Sequence, residues 1–280
     1  MSKSPIKVAA AQCLITADVR ANGREIRRLM VEARAAGAGL IHFPEAAMSG
    51  CSKAQVKDWG LVDWEAIADE LRATAALARE LELWVVVGSA HRLTAPNRPH
   101  NSLYVISDRG ELVTRYDKRF CSHTEITGWH APGRSPCVFE VGGWKFGCVL
   151  CIEVHFPELF LDYAERGVDC ILFSAYADDP MFGVQAQGYA ASHSFWISLS
   201  IPTQTSGALT SRLIGPTGEI QASAVASASG IAVETLDEDS PRWEVARHRA
   251  RPWRARAREG GIYRPHDAVD DPRSQDRTAF

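Results

Sequence analysis

A chain of 280 residues with 46% hydrophobic content can bury a substantial core, and that size suits one large α/β domain better than two small ones. The formal net charge of -3 gives no overall reason for nucleic acid or an anionic membrane as partner, because such partners select a basic surface. No run approaches the ~20 apolar residues of a membrane span, and the first residues lack an apolar stretch followed by a small-residue cleavage site, so a cytoplasmic protein is expected.

Residues 6–11 read as a short apolar strand, and residues 22–36 place Ile26, Leu29, Met30 and Ala33 at helical spacing ahead of Gly37. Residues 40–43 form a second buried strand that runs straight into Pro44, so Glu45 sits at a strand's carboxyl end. A helix over 64–80 precedes a strand over 83–88, apolar on both faces. Strands over 102–107 and 112–116 flank Asp108-Arg109-Gly110, a hairpin that Lys118 closes. Strands over 138–141 and 144–150 flank Gly142-Gly143, and the second delivers Cys151 to a turn. Helices over 157–166 and 186–193 then alternate with strands over 170–173, 197–200, 211–214 and 231–234, with a turn at Pro216-Thr217-Gly218-Glu219. Strand–helix units mixed with hairpins predict mixed sheets. One domain is expected over 1–240, with an Arg-rich C-terminal extension over 241–280.

Seven scattered cysteines, an odd number, do not make a disulfide framework. Cys151 stands apart because a strand-to-helix turn exposes a nucleophile while neighbouring backbone N–H groups point at a developing oxyanion. Its thiol needs a nearby cation, a helix N-terminus or a base to react at neutral pH.

The segment Cys151-Ile152-Glu153-Val154-His155-Phe156-Pro157-Glu158 resembles the nucleophile segment of the nitrilase superfamily of carbon–nitrogen hydrolases. Phe43-Pro44-Glu45, followed by Ser49-Gly50, and Tyr116-Asp117-Lys118-Arg119 match in the right order, and the resemblance extends from about Ile6 to Glu234. It implies an α/β fold of four layers, an α-β-β-α sandwich of two mixed sheets with outer helices. It also implies a homodimer or higher homo-oligomer. A catalytic Glu, Lys and Cys are implied too, carried here by Glu45, Lys118 and Cys151. The residue types suit that chemistry: a carboxylate takes the thiol proton and later activates water, while an ammonium favours thiolate and stabilises the oxyanion. Taken singly, Glu45 reads equally as a solvated loop acid and Lys118 as a surface charge. The resemblance also implies a second catalytic-site glutamate that hydrogen-bonds near the lysine and helps orient substrate, a role that falls on Glu125, although the spacing to Gly133 is one residue longer than expected.

The expected reaction is hydrolysis of an amide or N-carbamoyl amide through a cysteine thioester, with neither metal nor organic cofactor. Nitrile hydrolysis is the alternative, set back because Ile152 replaces the tryptophan usual in nitrilases. A non-catalytic binding or regulatory protein on the same fold is the other. Trp129, Ile152, His155, Tyr176 and Asp178 are the candidate substrate-binding residues, His155 standing where an arginine is common; His130, Asp179 and Phe182 lie on the same segments. Asp178 with Asp179 suits a substrate bearing a cationic amine. Where many members carry an acid and an amide after the 170–173 strand, this chain has His193 and Ser194, so the wiring there is altered. Cys148-Val149-Leu150-Cys151 is formally a redox C-x-x-C, but Cys148 falls inside an apolar strand. The arginines around Trp253 are expected in a solvated tail packing on a partner subunit, nucleic acid being the less expected contact.

Overall fold

The computed structural model describes residues 3–278. β1 (Ile6–Gln12) leads into α1 (Val19–Ala35), whose first free N–H groups, on Arg20 and Ala21, donate to the Asp18 carboxylate. β2 (Leu40–His42), α2 (Trp64–Leu81) and β3 (Trp84–His91) repeat the unit, and β1, β2 and β3 run parallel. β4 (His100–Ile106) and β5 (Leu112–Asp117) add an antiparallel hairpin. A short helix, α3 (His123–Gly128), crosses to the second half.

There β6 (Val138–Val141) and β7 (Trp144–Leu150) form the second hairpin. α4 (Pro157–Glu165), β8 (Cys170–Ser174), α5 (Met181–His193) and β9 (Trp196–Ser200) follow, with β7, β8 and β9 parallel. β10 (Arg212–Ile214) and β11 (Ile220–Ser223) complete that sheet, and β12 (Gly230–Leu236) returns to pair along the whole of β1, from Ile6 opposite Leu236 to Gln12 opposite Gly230. The result is two six-stranded mixed sheets, in the orders β12-β1-β2-β3-β4-β5 and β11-β10-β9-β8-β7-β6.

Strand alternation decides the layering, because successive side chains leave a strand on opposite faces. In β1, Val8 and Ala10 enter the core between the sheets while Ala9 and Ala11 meet the outer helices. In β7, Phe146, Cys148 and Leu150 point between the sheets, and Val149 packs towards α4 and α5. Trp144 and Trp196, both fully buried at the start of β7 and β9, meet edge to face at 5.3 Å between the sheets. Cys148 thus belongs to the core, so the C-x-x-C spacing does not make an exposed dithiol.

The strands matched expectation within a few residues. β11 and α3 were not foreseen, both being short and weakly apolar. The start of the extension also differs from a solvated tail. Trp243 is buried against Trp196, a helical turn spans Glu244–Ala250, and α6 (Arg251–Glu259) follows. Arg247 is only 5% exposed; it bonds Asp169 at 2.7 Å and Glu238 at 3.0 Å and donates to the Ser194 carbonyl. Arg254 donates to Ser194 Oγ and to the Ala191 and Ser192 carbonyls. Of the two altered residues at the end of α5, Ser194 is therefore wired to the extension of the same chain, whereas the buried Nδ1 of His193 has no hydrogen-bond partner among the described residues. No helix among the described residues is long and apolar enough to cross a membrane.

Candidate active site

Three strand ends converge at one edge of the sandwich. β2 ends at His42, and Phe43 N–H still donates to the Val86 carbonyl, carrying the ladder one residue further before Pro44 breaks it. The turn that follows presses on β3 at Gly88. A Cβ there would lie 2.2 Å from the Pro44 carbonyl oxygen, so no other residue lets the Glu45 turn approach so closely. Ala46, at φ 59°, completes the bend and leaves Glu45 3% exposed. Lys118 leaves β5 with its N–H on the Asn101 carbonyl and its own carbonyl accepting from Gly133 N–H, both at 2.8 Å.

Cys151 leaves β7 at φ 48°, a left-handed conformation uncommon for a residue with a Cβ, and starts a tight helical turn spanning Cys151–His155. Glu153, fully buried, braces that turn. Its carboxylate accepts from Leu150 N–H, Arg119 N–H, Phe120 N–H and Tyr116 O–H at 2.7–3.1 Å. One side chain thus ties the nucleophile turn to the loop carrying Lys118. The acid two residues after Cys151 was its only signal in the sequence, and no role was foreseen for it.

The Lys118 ammonium donates to Glu45 Oε1 at 2.9 Å and to Glu125 Oε1 at 2.8 Å. Asn101 Nδ2 bridges the same two oxygens, at 2.7 Å from Glu45 and 3.3 Å from Glu125. Glu125 is held from behind by α3, whose cap residue Ser122 donates its N–H to Glu125 Oε2 at 2.7 Å. Tyr176 N–H, just beyond β8, donates to Glu45 Oε2 at 3.1 Å. Asn101 went unrecognised because it lies near the start of β4 with no motif around it.

Charge follows from this geometry. Burial works against the Lys118 ammonium, but Glu45, the Cys151 sulfur and Glu125 more than offset it and hold its pKa well above the usual lysine value. Burial also works against the Glu125 carboxylate, yet Lys118 and Ser122 bring it down to about 2. Burial and the Glu45 carboxylate push the Cys151 thiol well up, against the opposing pull of Lys118 and Tyr176 N–H. At rest Cys151 is therefore a neutral thiol beside a carboxylate, and a base must take its proton as it attacks.

Behind the site a polar seam crosses the core. Ser174 Oγ donates to the Phe43 carbonyl, which leaves it to accept from His42 Nδ1–H at 3.3 Å, and His42 Nε2 then accepts from Ser198 Oγ at 2.8 Å. Burial drives the His42 pKa down to about 3, so the imidazole is neutral. It fastens β2 to β8 and β9, and with them the Glu45 and Tyr176 ends.

Glu45, Asn101, Lys118, Glu125 and Cys151 line one cavity of about 330 Å³. Ile152, Tyr176 and Asp178 line it as expected, as do His130, Asp179 and Phe182. Two expected residues do not. Trp129 stands behind Trp59, which takes the place on the wall and donates its Nε1–H to the Trp129 carbonyl at 2.8 Å. His155 is exposed on the far side of the turn, bonded to Gln185 and edge-on to Phe182. Four residues after Cys151, a tight turn has carried the chain past the cavity, which ordinary helical spacing does not reveal.

The model of the carbon-nitrogen hydrolase family matches residues 7–244. The chain belongs to this family. Among curated carbon-nitrogen hydrolase relatives, nitrilase homolog 2 of Dictyostelium discoideum is 24% identical across 60% of this chain and 53% of its own length. The chloroplastic omega-amidase of Arabidopsis thaliana is 23% identical across 77% of this chain and 63% of its own length. The chain thus spans less than two thirds of either protein. In structure it is similar to a mutant of the amidase from Nesterenkonia sp. AN1, showing covalent addition of the acetamide moiety of fluoroacetamide at the active site cysteine. The TM-score is 0.75 at 20% identity, covering 87% of this chain and 96% of that one. At that identity the likeness establishes the fold, the four-layer sandwich of two mixed sheets.

Proposed function

We propose that this carbon–nitrogen hydrolase cleaves an amide, with Cys151 as nucleophile, Glu45 as general base and Lys118 as the cation facing the developing oxyanion. The observation that carries the reading is the Lys118 ammonium held between Glu45 and Glu125 in the cavity that the Cys151 thiol enters. Glu45 takes the thiol proton as sulfur bonds to the carbonyl carbon, and the carbonyl electron pair moves to oxygen opposite Lys118 and the backbone N–H of Ile152. The tetrahedral centre collapses, the C–N bond breaks, and the proton on Glu45 passes to the departing ammonia or amine. Water then gives its proton to Glu45 as it attacks the thioester, and the released thiolate recovers that proton. Glu125 and Asn101 are positioning residues that hold Lys118 and Glu45.

Residue Ile152 after the nucleophile, in place of tryptophan, and relatives described as amidases support an amide over a nitrile. The hydrolase domain in this reading occupies residues 1–240, with 241–280 as an extension, and the enzyme works in the cytoplasm as a homo-oligomer. Met181 and Val184, each about half exposed on α5, support a partner copy on that face. An ammonia-release screen over aliphatic amides, ω-amides, N-carbamoyl compounds and nitriles tests the activity. Turnover is expected for an amide and lost in Cys151→Ala; turnover of nitriles alone, or activity surviving the substitution, would overturn the reading.

A further inference from the structure

The charges around the cavity do not cancel. Four carboxylates line it, those of Glu45, Glu125, Asp178 and Asp179, against the ammonium groups of Lys53 and Lys118. Lys118 is already shared by two of the carboxylates; Lys53, exposed like Asp178 and Asp179 at the cavity's rim, has its ammonium on Thr124 Oγ1 at 2.6 Å. No arginine is among the lining residues, so the planar fork that best grips a substrate carboxylate is missing. Asp178 and Asp179 make no ion pair among the described residues; Asp179 Oδ1 accepts only the Met181 N–H at 2.9 Å. With Cys151 a neutral thiol, the wall carries two unbalanced negative charges.

A second feature agrees with this. Trp59, Tyr176 and Phe182 line the same cavity, and aromatic rings beside carboxylates are the surroundings that favour an organic ammonium. Trp59 is fixed by Trp64, stacked at 5.8 Å, and by edge contact with His130 at 5.2 Å. The Tyr176 hydroxyl accepts from Gln55 Nε2 at 3.0 Å and from Gln204 Nε2 at 3.3 Å. These walls are held in place before any substrate arrives.

Resting on the amide reading above, we infer that the enzyme selects amides carrying a cationic amine at the end remote from the scissile carbonyl, and discriminates against amides ending in a carboxylate. Asp178 and Asp179 are the specificity-determining pair. The cavity, at about 330 Å³, lies at the small end of the ~300–1,000 Å³ usual for ligand pockets, which suits a short chain.

The test compares kcat and KM of the full chain on pentanamide, its ω-amino derivative and the matching ω-carboxyl amide, which differ in end-group charge on a similar chain. The ω-amino amide is expected to lead the neutral one about tenfold in kcat/KM, mainly through KM, with the ω-carboxyl amide last. That preference should shrink at ~1 M salt, where the Debye length is ~3 Å. Joint Asp178→Asn and Asp179→Asn substitution should reduce the tenfold preference to about twofold. The preference is a ratio between substrates on one sample, so partial loss of folded enzyme leaves it readable. Equal turnover of the three, or the ω-carboxyl amide leading, overturns the charge inference alone. If pentanamide itself releases no ammonia while both charged amides also fail, the amide reading falls and this inference with it.

Discussion

Strand β8 has a buried charged cluster at each end, and the two are built on opposite rules. Where the strand leaves, near Tyr176, one cation serves two acids: Lys118 between Glu45 and Glu125. Where it enters, three cations serve two acids: Asp169 accepts from Lys3 and Arg247, each at 2.7 Å, and from Arg251 at 3.4 Å, while Glu238 meets Lys3 at 3.5 Å and Arg247 at 3.0 Å. Excess carboxylate beside a thiol and a cavity leaves a base available for proton transfer. Excess cation around Asp169 and Glu238 gathers the Lys3 segment, the start of β8 and the C-terminal extension into one anchor. Similar ingredients thus serve chemistry at one end and assembly of the chain at the other.

Breaking each cluster at its shared residue should separate the two roles. Lys118→Met leaves Glu45 and Glu125 facing one another without their cation, so kcat is expected to fall by ~10³ and stability by ~3–5 kcal/mol, measured by steady-state kinetics and urea unfolding. Asp169→Asn should cost about 3 kcal/mol and leave the kcat of the folded fraction near wild type. Equal kinetic damage from both would erase the contrast. The pH dependence sharpens it further. Burial opposes the Asp169 carboxylate, but Lys3 and the other donors hold its pKa below the usual value. Its contribution is therefore present above about pH 4 and lost as pH falls through the lowered folded pKa. Asp169→Asn should flatten the acid side of a Tm-against-pH curve.

Smaller effects test the fine structure of the catalytic end. Asn101→Ala removes a donor to both carboxylates while sparing Lys118, and should lower kcat about tenfold, a loss that Asn101→Gln restores only in part. Trp59→Ala should raise KM several-fold, whereas Trp129→Ala, behind the wall, should change it about twofold at most.

The strands were legible because most are apolar runs whose period is local, and Glu45, Lys118 and Cys151 at their ends because the motifs around them resemble the family's. Asn101 was not legible, since it becomes part of the site only when β4 pairs with β5 and brings it beside Lys118. Trp59 lies 70 positions from Trp129, and nothing in the sequence says which of these two edge-to-face rings faces the cavity. The Asp169 anchor was hidden for the same reason: Arg247 is 78 residues away, and an ion pair leaves no periodic trace. His193 and Ser194 signalled altered wiring without saying what replaces it; Arg247 and Arg254, both on the extension, bond Ser194 at the end of α5.

In the proposed reaction the surroundings of Cys151 make it the reacting thiol among seven. Cys51 lines the same cavity, and Cys121 lies on the loop after Lys118; burial pushes both thiols up to about 12. Treating the protein with fluoroacetamide, digesting it and weighing the peptides compares all seven directly. An acetamide adduct is expected on Cys151 well before any other and at the rate at which ammonia release is lost, with Glu45→Gln slowing both. Labelling of Cys51 or Cys121 as fast as Cys151, or full labelling of Cys151 with ammonia release intact, would contradict it.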